Sequence, residues 1–141
     1  MKIPQKFVAK EDFQGLYIGN ESYARYDRLA NAISSLDVKK ARDLYLTFRP
    51  LFKQVYDEFG YPAEYQVEDI FMKAAASVIE APIVDGRVSL HRYSVGYKFA
   101  DAKLEVLNGV EKQMLRMGPE NTQKIQAKLR QLVEVISVLN E

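Results

Sequence analysis

Apolar residues recur along most of this chain at spacings of three and four, in runs separated by glycine, proline and asparagine. Tyr26, Leu29, Ala30, Ile33 and Leu36 hold one helical face. Asp37 is a good N-cap. After it Ala41, Leu44, Tyr45, Phe48, Leu51, Phe52, Val55 and Phe59 keep helical phase across Pro50, which predicts one kinked helix from Asp37 to Phe59, ended by Gly60. A third stripe, Val67, Ile70, Phe71, Ala74, Ala75, Val78 and Ile79, stops before Pro82. The last comprises Ile125, Leu129, Leu132, Val133, Ile136 and Leu139, and its helix begins within LRMGPEN, residues 115–121. There Gly118 can take the left-handed backbone that closes one helix, and Pro119 suits the first position of the next, where no amide donor is missed.

The remaining segments are shorter. In residues 1–20 two β-favouring runs, KFVAK and GLYI, flank EDFQG and predict a small hairpin, with Asn20 or Ser22 capping the helix that follows. Asp85 and Gly86 form a two-residue hairpin signal between short apolar runs. From Val88 to Phe99 two alternations conflict: Val88 and Leu90 keep one register, and Tyr93, Val95, Tyr97 and Phe99 keep the other, so this stretch reads as irregular or short strand. Asp101 caps a short helix with Leu104 and Leu107, which breaks at Asn108 and Gly109 before a helix with Val110, Met114 and Met117. These elements predict an all-α fold: a compact bundle of five to six helices in a single domain over 1–141, with 1–20 an extended or hairpin segment and 21–141 the helical core. The helix from Asp37 to Phe59 is expected at its centre, with Phe48, Ile70 and Leu132 turned inward.

A chain of 141 residues with 48% hydrophobic and 28% charged side chains fits one globular domain, which buries about two thirds of its unfolded surface. Twenty basic against nineteen acidic residues leave a net charge of +1, removing any global electrostatic case for nucleic acid or an anionic membrane. Locally the balance shifts. Between Tyr61 and Pro82 four acids face only Lys73, whereas Lys112, Arg116, Lys124, Lys128 and Arg130 accompany only Glu120. Cysteine is absent, which excludes disulfides and thiolate chemistry and leaves the redox compartment unread. No apolar run approaches the roughly 20 residues that cross a bilayer, and MKIPQKFVAK lacks the hydrophobic stretch of a signal peptide.

No catalytic constellation, metal spacing or nucleotide loop is present, so no catalytic residue, metal or cofactor is predicted. His91, the single histidine, is the one candidate base, with Asp85 or Asp101 beside it, but a lone histidine is more often an ordinary hydrogen-bonding group. The better candidate is an anion site of Arg116, Asn121 and Lys124 at the start of the last helix, where free amides and the helix dipole favour negative charge. The competing, favoured reading is that Arg116 pairs internally with Asp27, Asp101 or Glu120 and fixes an interhelical angle. Lys124 and Lys128 share a face that Arg130 does not, and no aromatic platform of the kind single strands prefer is interleaved with these bases. Of the nine tyrosines, Tyr23, Tyr26 and Tyr97 are the candidates for an aromatic groove, against the plainer reading of core rim.

Four runs, SYARYD (22–27), FGYP (59–62), YKFAD (97–101) and LRMGPEN, resemble in order and spacing the bacterial family named domain of unknown function 3014. The resemblance covers nearly the whole chain from about Phe7. It implies the soluble C-terminal portion of a longer protein with a membrane-spanning segment near its N-terminus and a polar linker, on the periplasmic side of the inner membrane of a Gram-negative bacterium. A full-length chain would instead be cytoplasmic. The family has no established activity, so the resemblance assigns no chemistry to any residue. The resulting expectation is a non-enzymatic binding or interaction domain for an unknown protein or cell-envelope partner, without nucleic acid and without membrane contact by this segment. The alternative is a small-molecule or anion-binding protein or enzyme using Arg116 and His91.

Overall fold

The computed structural model describes residues 6–62 and 64–140. It opens with the predicted hairpin, β1 (Ala9–Asp12) paired antiparallel with β2 (Gly15–Ile18); the part of the N-terminal segment before Lys6 lies outside the described residues. The hairpin is half of a larger sheet. β2 also pairs with β3 (Ser89–Tyr93), and β3 with β4 (Gly96–Phe99), giving a four-stranded antiparallel sheet in the order β1-β2-β3-β4. The all-α expectation is therefore corrected to mixed α/β, with seven α-helices and four strands among the described residues.

The conflicting registers of residues 88–99 have a simple origin. Leu90 pairs with Phe99 and Arg92 with Tyr97 across a two-residue turn at Ser94–Val95, so the inward positions change from even to odd numbers. Leu90 and Phe99 are both buried. Asp85 and Gly86 lie in a loop and not in a hairpin turn.

The helix expected after Asn20 is split into α1 (Asn20–Ala24) and α2 (Asp27–Ser34). Neither candidate caps it, because Ser22 is fully buried with its hydroxyl used elsewhere: it accepts from Val8 N at 2.7 Å and donates to Val8 O at 2.8 Å. α3 (Val38–Glu58) passes through Pro50 as one helix, capped by Asp37, whose carboxylate accepts from Lys40 N at 3.0 Å. α4 (Val67–Ile79) starts from a reciprocal cap between Gln66 and Asp69, α5 (Ala102–Glu105) from Asp101, and α6 (Gly109–Met117) from a capping box of Asn108 and Glu111. α7 (Pro119–Ser137) has Pro119 in its first turn, as predicted.

The central element is α7, not α3: α2, α3, α4 and α6 all pack on it. One apolar cluster, Tyr26, Ala30, Ala81, Met114, Met117 and Ile125, ties α2, α6 and the end of α4 to α7. A second, Ile18, Val88, Leu90, Phe99 and Leu115, ties the sheet to α6. The first half of α7 also buries polar side chains. Asn121 donates to Met117 O at 3.0 Å and Tyr23 O at 3.1 Å, Thr122 to Met114 O at 2.8 Å, and Gln126 to Val78 O at 3.0 Å and Ala81 O at 2.9 Å. These carbonyls sit at or just beyond the C-terminal ends of α1, α4 and α6, where regular helical donors give out; Tyr23 O and Val78 O also accept from Tyr26 N and Ala81 N. One helix thus caps three others through its side chains.

A further expectation is overturned on α3. Its apolar stripe faces outward: Leu44, Phe48 and Phe59 are 61%, 46% and 73% exposed, and Leu51, Phe52 and Val55 are exposed with them. Ile70 on α4 is exposed as well, whereas Leu132 is half-buried. The face that α3 turns inward carries Tyr45, Arg49 and Tyr56. Glu68 of α4, 2% exposed, accepts from Tyr45 Oη at 2.7 Å and from Arg49 Nε. Burial, reinforced by the Glu68 carboxylate, pushes the Tyr45 phenol up to about 12. Burial also works to raise Glu68, but its hydrogen bonds from Arg49 and Tyr45 outweigh this and hold it below the usual carboxylate range.

Candidate functional site

The corner between α6 and α7 is built around Gly118, at φ 86°, ψ 164°, a region essentially reserved for glycine. The ring of Tyr23 packs directly beneath it, so a Cβ there would lie 2.6 Å from Tyr23 Cγ. α1 is thereby seated against the corner, and Asn121 reinforces the contact by donating to Asp27 Oδ1 at 2.9 Å. Leu115 and Met117 are both buried. Arg116, between them, projects toward the sheet, with its guanidinium 5.8 Å from the centre of the Phe99 ring.

Around Arg116 lies a groove of about 250 Å³, floored by Ile18, Leu90 and Phe99 and walled by Phe7, Tyr97 and Arg25. Phe7 and Tyr97 rings stand 5.6 Å apart. Arg25 donates to Ser22 O at 3.0 Å and lies over the rings of Phe7 and Tyr26. Glu105 anchors the end of β4 to α6 by accepting from Phe99 N at 2.9 Å and Lys112 Nζ at 3.0 Å. The Phe99 amide first, and Lys112 second, hold its carboxyl below the usual range. Two guanidiniums and three aromatic rings thus line the groove, with no carboxylate among the described residues that line it. Among the described residues Arg116 makes no hydrogen bond or ion pair; its contact is the ring of Phe99. The internal pairing expected for it is not formed with Asp27, Asp101 or Glu120: Asp27 accepts from Asn121, Asp101 caps α5, and Glu120 lines a wider cleft on the other side of the corner.

A second, wider cleft of about 620 Å³ lies between β2, α1 and the start of α7. Its charge is opposite in character, with Asp12, Asp27 and Glu120 against Arg87. Arg87 is fully engaged, donating to both Asp12 oxygens at 2.6 and 2.9 Å and to Gly15 O at 2.9 Å. That hydrogen-bonded guanidinium holds the Asp12 carboxyl below its ordinary range. Tyr23 Oη and Asn121 Oδ1 are buried here without a hydrogen-bond partner among the described residues.

The residues singled out in the sequence are dispersed. Arg116 enters the groove, Asn121 is buried as a cap, and Lys124 donates to Asn31 Oδ1 on α2 at 3.1 Å, so the three side chains are turned to different neighbours. Tyr23 lines the wide cleft, Tyr26 belongs to the core, and Tyr97 alone of that trio lines the groove. His91 is exposed opposite Lys98, on the strand face that points away from Leu90 and Phe99, so the sheet separates it from Arg116. No cluster of three or more potential metal ligands occurs among the described residues. Phe7, Arg25 and Phe99 are groove residues that the sequence did not single out. The signal available was the shared parity of Tyr97 and Phe99, which puts both rings on one strand face.

The architecture is that of a small α/β domain in which an antiparallel sheet leans on helices gathered around one central helix. The chain belongs to the family described as protein of unknown function (DUF3014), whose model matches residues 1–133. No curated protein and no solved structure matches it. Three of the four runs that carry the resemblance, SYARYD, YKFAD and LRMGPEN, meet at this groove and supply Arg25, Tyr97, Phe99 and Arg116. The fourth, FGYP, lies at the end of α3, where Tyr61 stacks on Tyr56 at 4.8 Å. None of the described helices is long and apolar enough to cross a membrane.

Proposed function

We propose that this domain is a binding module whose groove takes a ligand with a carboxylate or phosphate joined to a flat apolar group. One observation carries the reading: Arg116 stands in an aromatic groove with no carboxylate or carbonyl partner among the described residues. A guanidinium presents paired donors that match carboxylate and phosphate oxygens, and the Phe7 and Tyr97 rings offer stacking surface for what the anion is attached to. A groove of about 250 Å³ suits a single ring or side chain more than a large cofactor. Arg25, already engaged with Ser22, contributes charge.

Titration with phenyl phosphate and with benzoate, followed by two-dimensional NMR, tests this. Saturable shifts are expected at Tyr97, Phe99 and the Arg116 Nε–H, with loss of binding in Arg116→Gln at unchanged melting temperature. The absence of saturable shifts, or their persistence in Arg116→Gln, refutes it. The placement that the family resemblance implies, on the periplasmic side of a membrane anchor, belongs to the same proposal. Protease accessibility of the native protein in spheroplasts tests that part.

A further inference from the structure

Six large apolar side chains, Leu44, Phe48, Leu51, Phe52, Val55 and Phe59, stand exposed along one side of α3. They recur at spacings of three and four over a helix of 21 residues, about 31 Å long at 1.5 Å per residue. An exposed apolar stripe of this extent marks a contact surface. The charges on the same helix identify the partner. Lys39 and Lys40 occupy the first turn and Asp57 and Glu58 the last, with no acid in the first turn and no base in the last. Apart from the Asp37 cap, this is the reverse of what a lone helix dipole favours.

An antiparallel copy of α3 offsets this on the flank of the stripe, because its negative end and its Glu58 come beside Lys40, whereas Lys39 and Asp57 face away from the stripe. The match holds residue by residue. Lys40 and Glu58 are 18 residues apart, about five turns, and so lie on the same flank of the stripe. When Phe48 of one copy meets Leu51 of the other, Leu44 meets Val55 and Lys40 comes beside Glu58. That arrangement is isologous, as a two-fold dimer requires.

We infer that the protein forms an antiparallel homodimer through the exposed face of α3, with an apolar seam centred on Phe48 and Leu51 and a Lys40–Glu58 pair at each end. Sedimentation of the full chain across a concentration series is expected to show a monomer–dimer equilibrium, abolished by Phe48→Glu with helical circular dichroism retained. Lys40→Glu is expected to weaken the dimer by about tenfold, and Lys40→Glu with Glu58→Lys to restore it. Because the chain has no cysteine, orientation can be read by oxidation: Lys40→Cys with Glu58→Cys is expected to cross-link two chains, and Lys40→Cys alone not to. A monomer at all concentrations, a dimer indifferent to Phe48→Glu, failure of the charge swap to restore association, or cross-linking by Lys40→Cys alone each overturns the inference.

Discussion

Replacing Gly118 with alanine separates two costs that are usually confounded, backbone conformation and overpacking. At φ 86°, ψ 164° an L-residue pays about 1–3 kcal/mol for the backbone alone. The new Cβ would also lie 2.6 and 2.7 Å from two ring carbons of Tyr23 and 3.0 Å from its Cβ, so the ring must move, at about 1–3 kcal/mol for an overpacked site. The sum is about 2–6 kcal/mol. Gly60→Ala is the control, since Gly60 also has positive φ, 70°, but nothing lies within 4 Å of its Cβ direction; its expected cost is the backbone part, about 1 kcal/mol. Urea denaturation followed by circular dichroism measures both, and at this chain length each kcal/mol moves the melting temperature by roughly 3–5 °C. In a Tyr23→Ala background the two closest contacts are gone, so Gly118→Ala should cost less by about 1–3 kcal/mol. If Gly118→Ala costs no more than Gly60→Ala, or costs the same with and without the Tyr23 ring, the described corner is wrong.

Three further perturbations address the interior. Because the folded carboxyl of Glu68 is held below the usual carboxylate range, the stability it contributes is present above that range and is lost as pH falls through the lower folded value. Glu68→Gln should therefore destabilise by about 2 kcal/mol at neutral pH and flatten the acid limb of the stability curve below pH 4.5; an unchanged acid limb would count against the Tyr45–Glu68–Arg49 lock. Gln126→Met conserves volume but strands the Ala81 carbonyl and leaves Val78 O with the bond from Ala81 N, at 3.3 Å, and should cost about 1–3 kcal/mol in the same denaturation series, whereas a neutral result would show that the Ala81 carbonyl finds another donor. Asn108→Ala removes the side-chain acceptor for Glu111 N and should cost about 1 kcal/mol, with faster amide exchange in the first turn of α6 as the local readout.

What the sequence disclosed divides along the range of the forces involved. Helix stops and starts at Asp37, Gly60, Asp101 and Gly118–Pro119 were legible because caps and positive-φ glycines act within a few residues. The β3–β4 hairpin was not, since its inward parity switches at Ser94–Val95 and only the pairing with β2 shows which register faces in. On α3 the periodicity was real and its inward orientation was not: an apolar stripe specifies that a helix has a partner face, not that the partner lies in the same chain. Ser22 reads as a cap and Asn121 as part of an anion site, yet both are buried, Ser22 against Val8 and Asn121 against Tyr23 O, and Gln126 is buried against Val78 O and Ala81 O, at separations of 14, 98, 48 and 45 residues. Arg116 stood out in the sequence beside the helix break, but Phe7 and Phe99 reach it from the first ten residues and from β4, at separations no local pattern reports.

The groove and the α3 stripe share no residue: the groove is built from β2, β3, β4, α1 and α6 and the chain before β1, whereas α3 rests on α4 and α7. The inferred pairing through α3 would therefore leave Arg116 open to the proposed ligand. Each dimer then carries two grooves, so a partner displaying two anionic groups within their span would bind more tightly than either groove alone through effective concentration. Position of the cation within each groove is set from inside the protein, because Leu115 and Met117 are buried on either side of Arg116 and Gly118 admits no other residue above Tyr23. A binding group fixed this way loses little freedom when a ligand arrives. The buried polar caps of α7 thus bear on the proposed binding as well as on stability: by holding α1 and α6 at their ends, they hold the groove's walls in register.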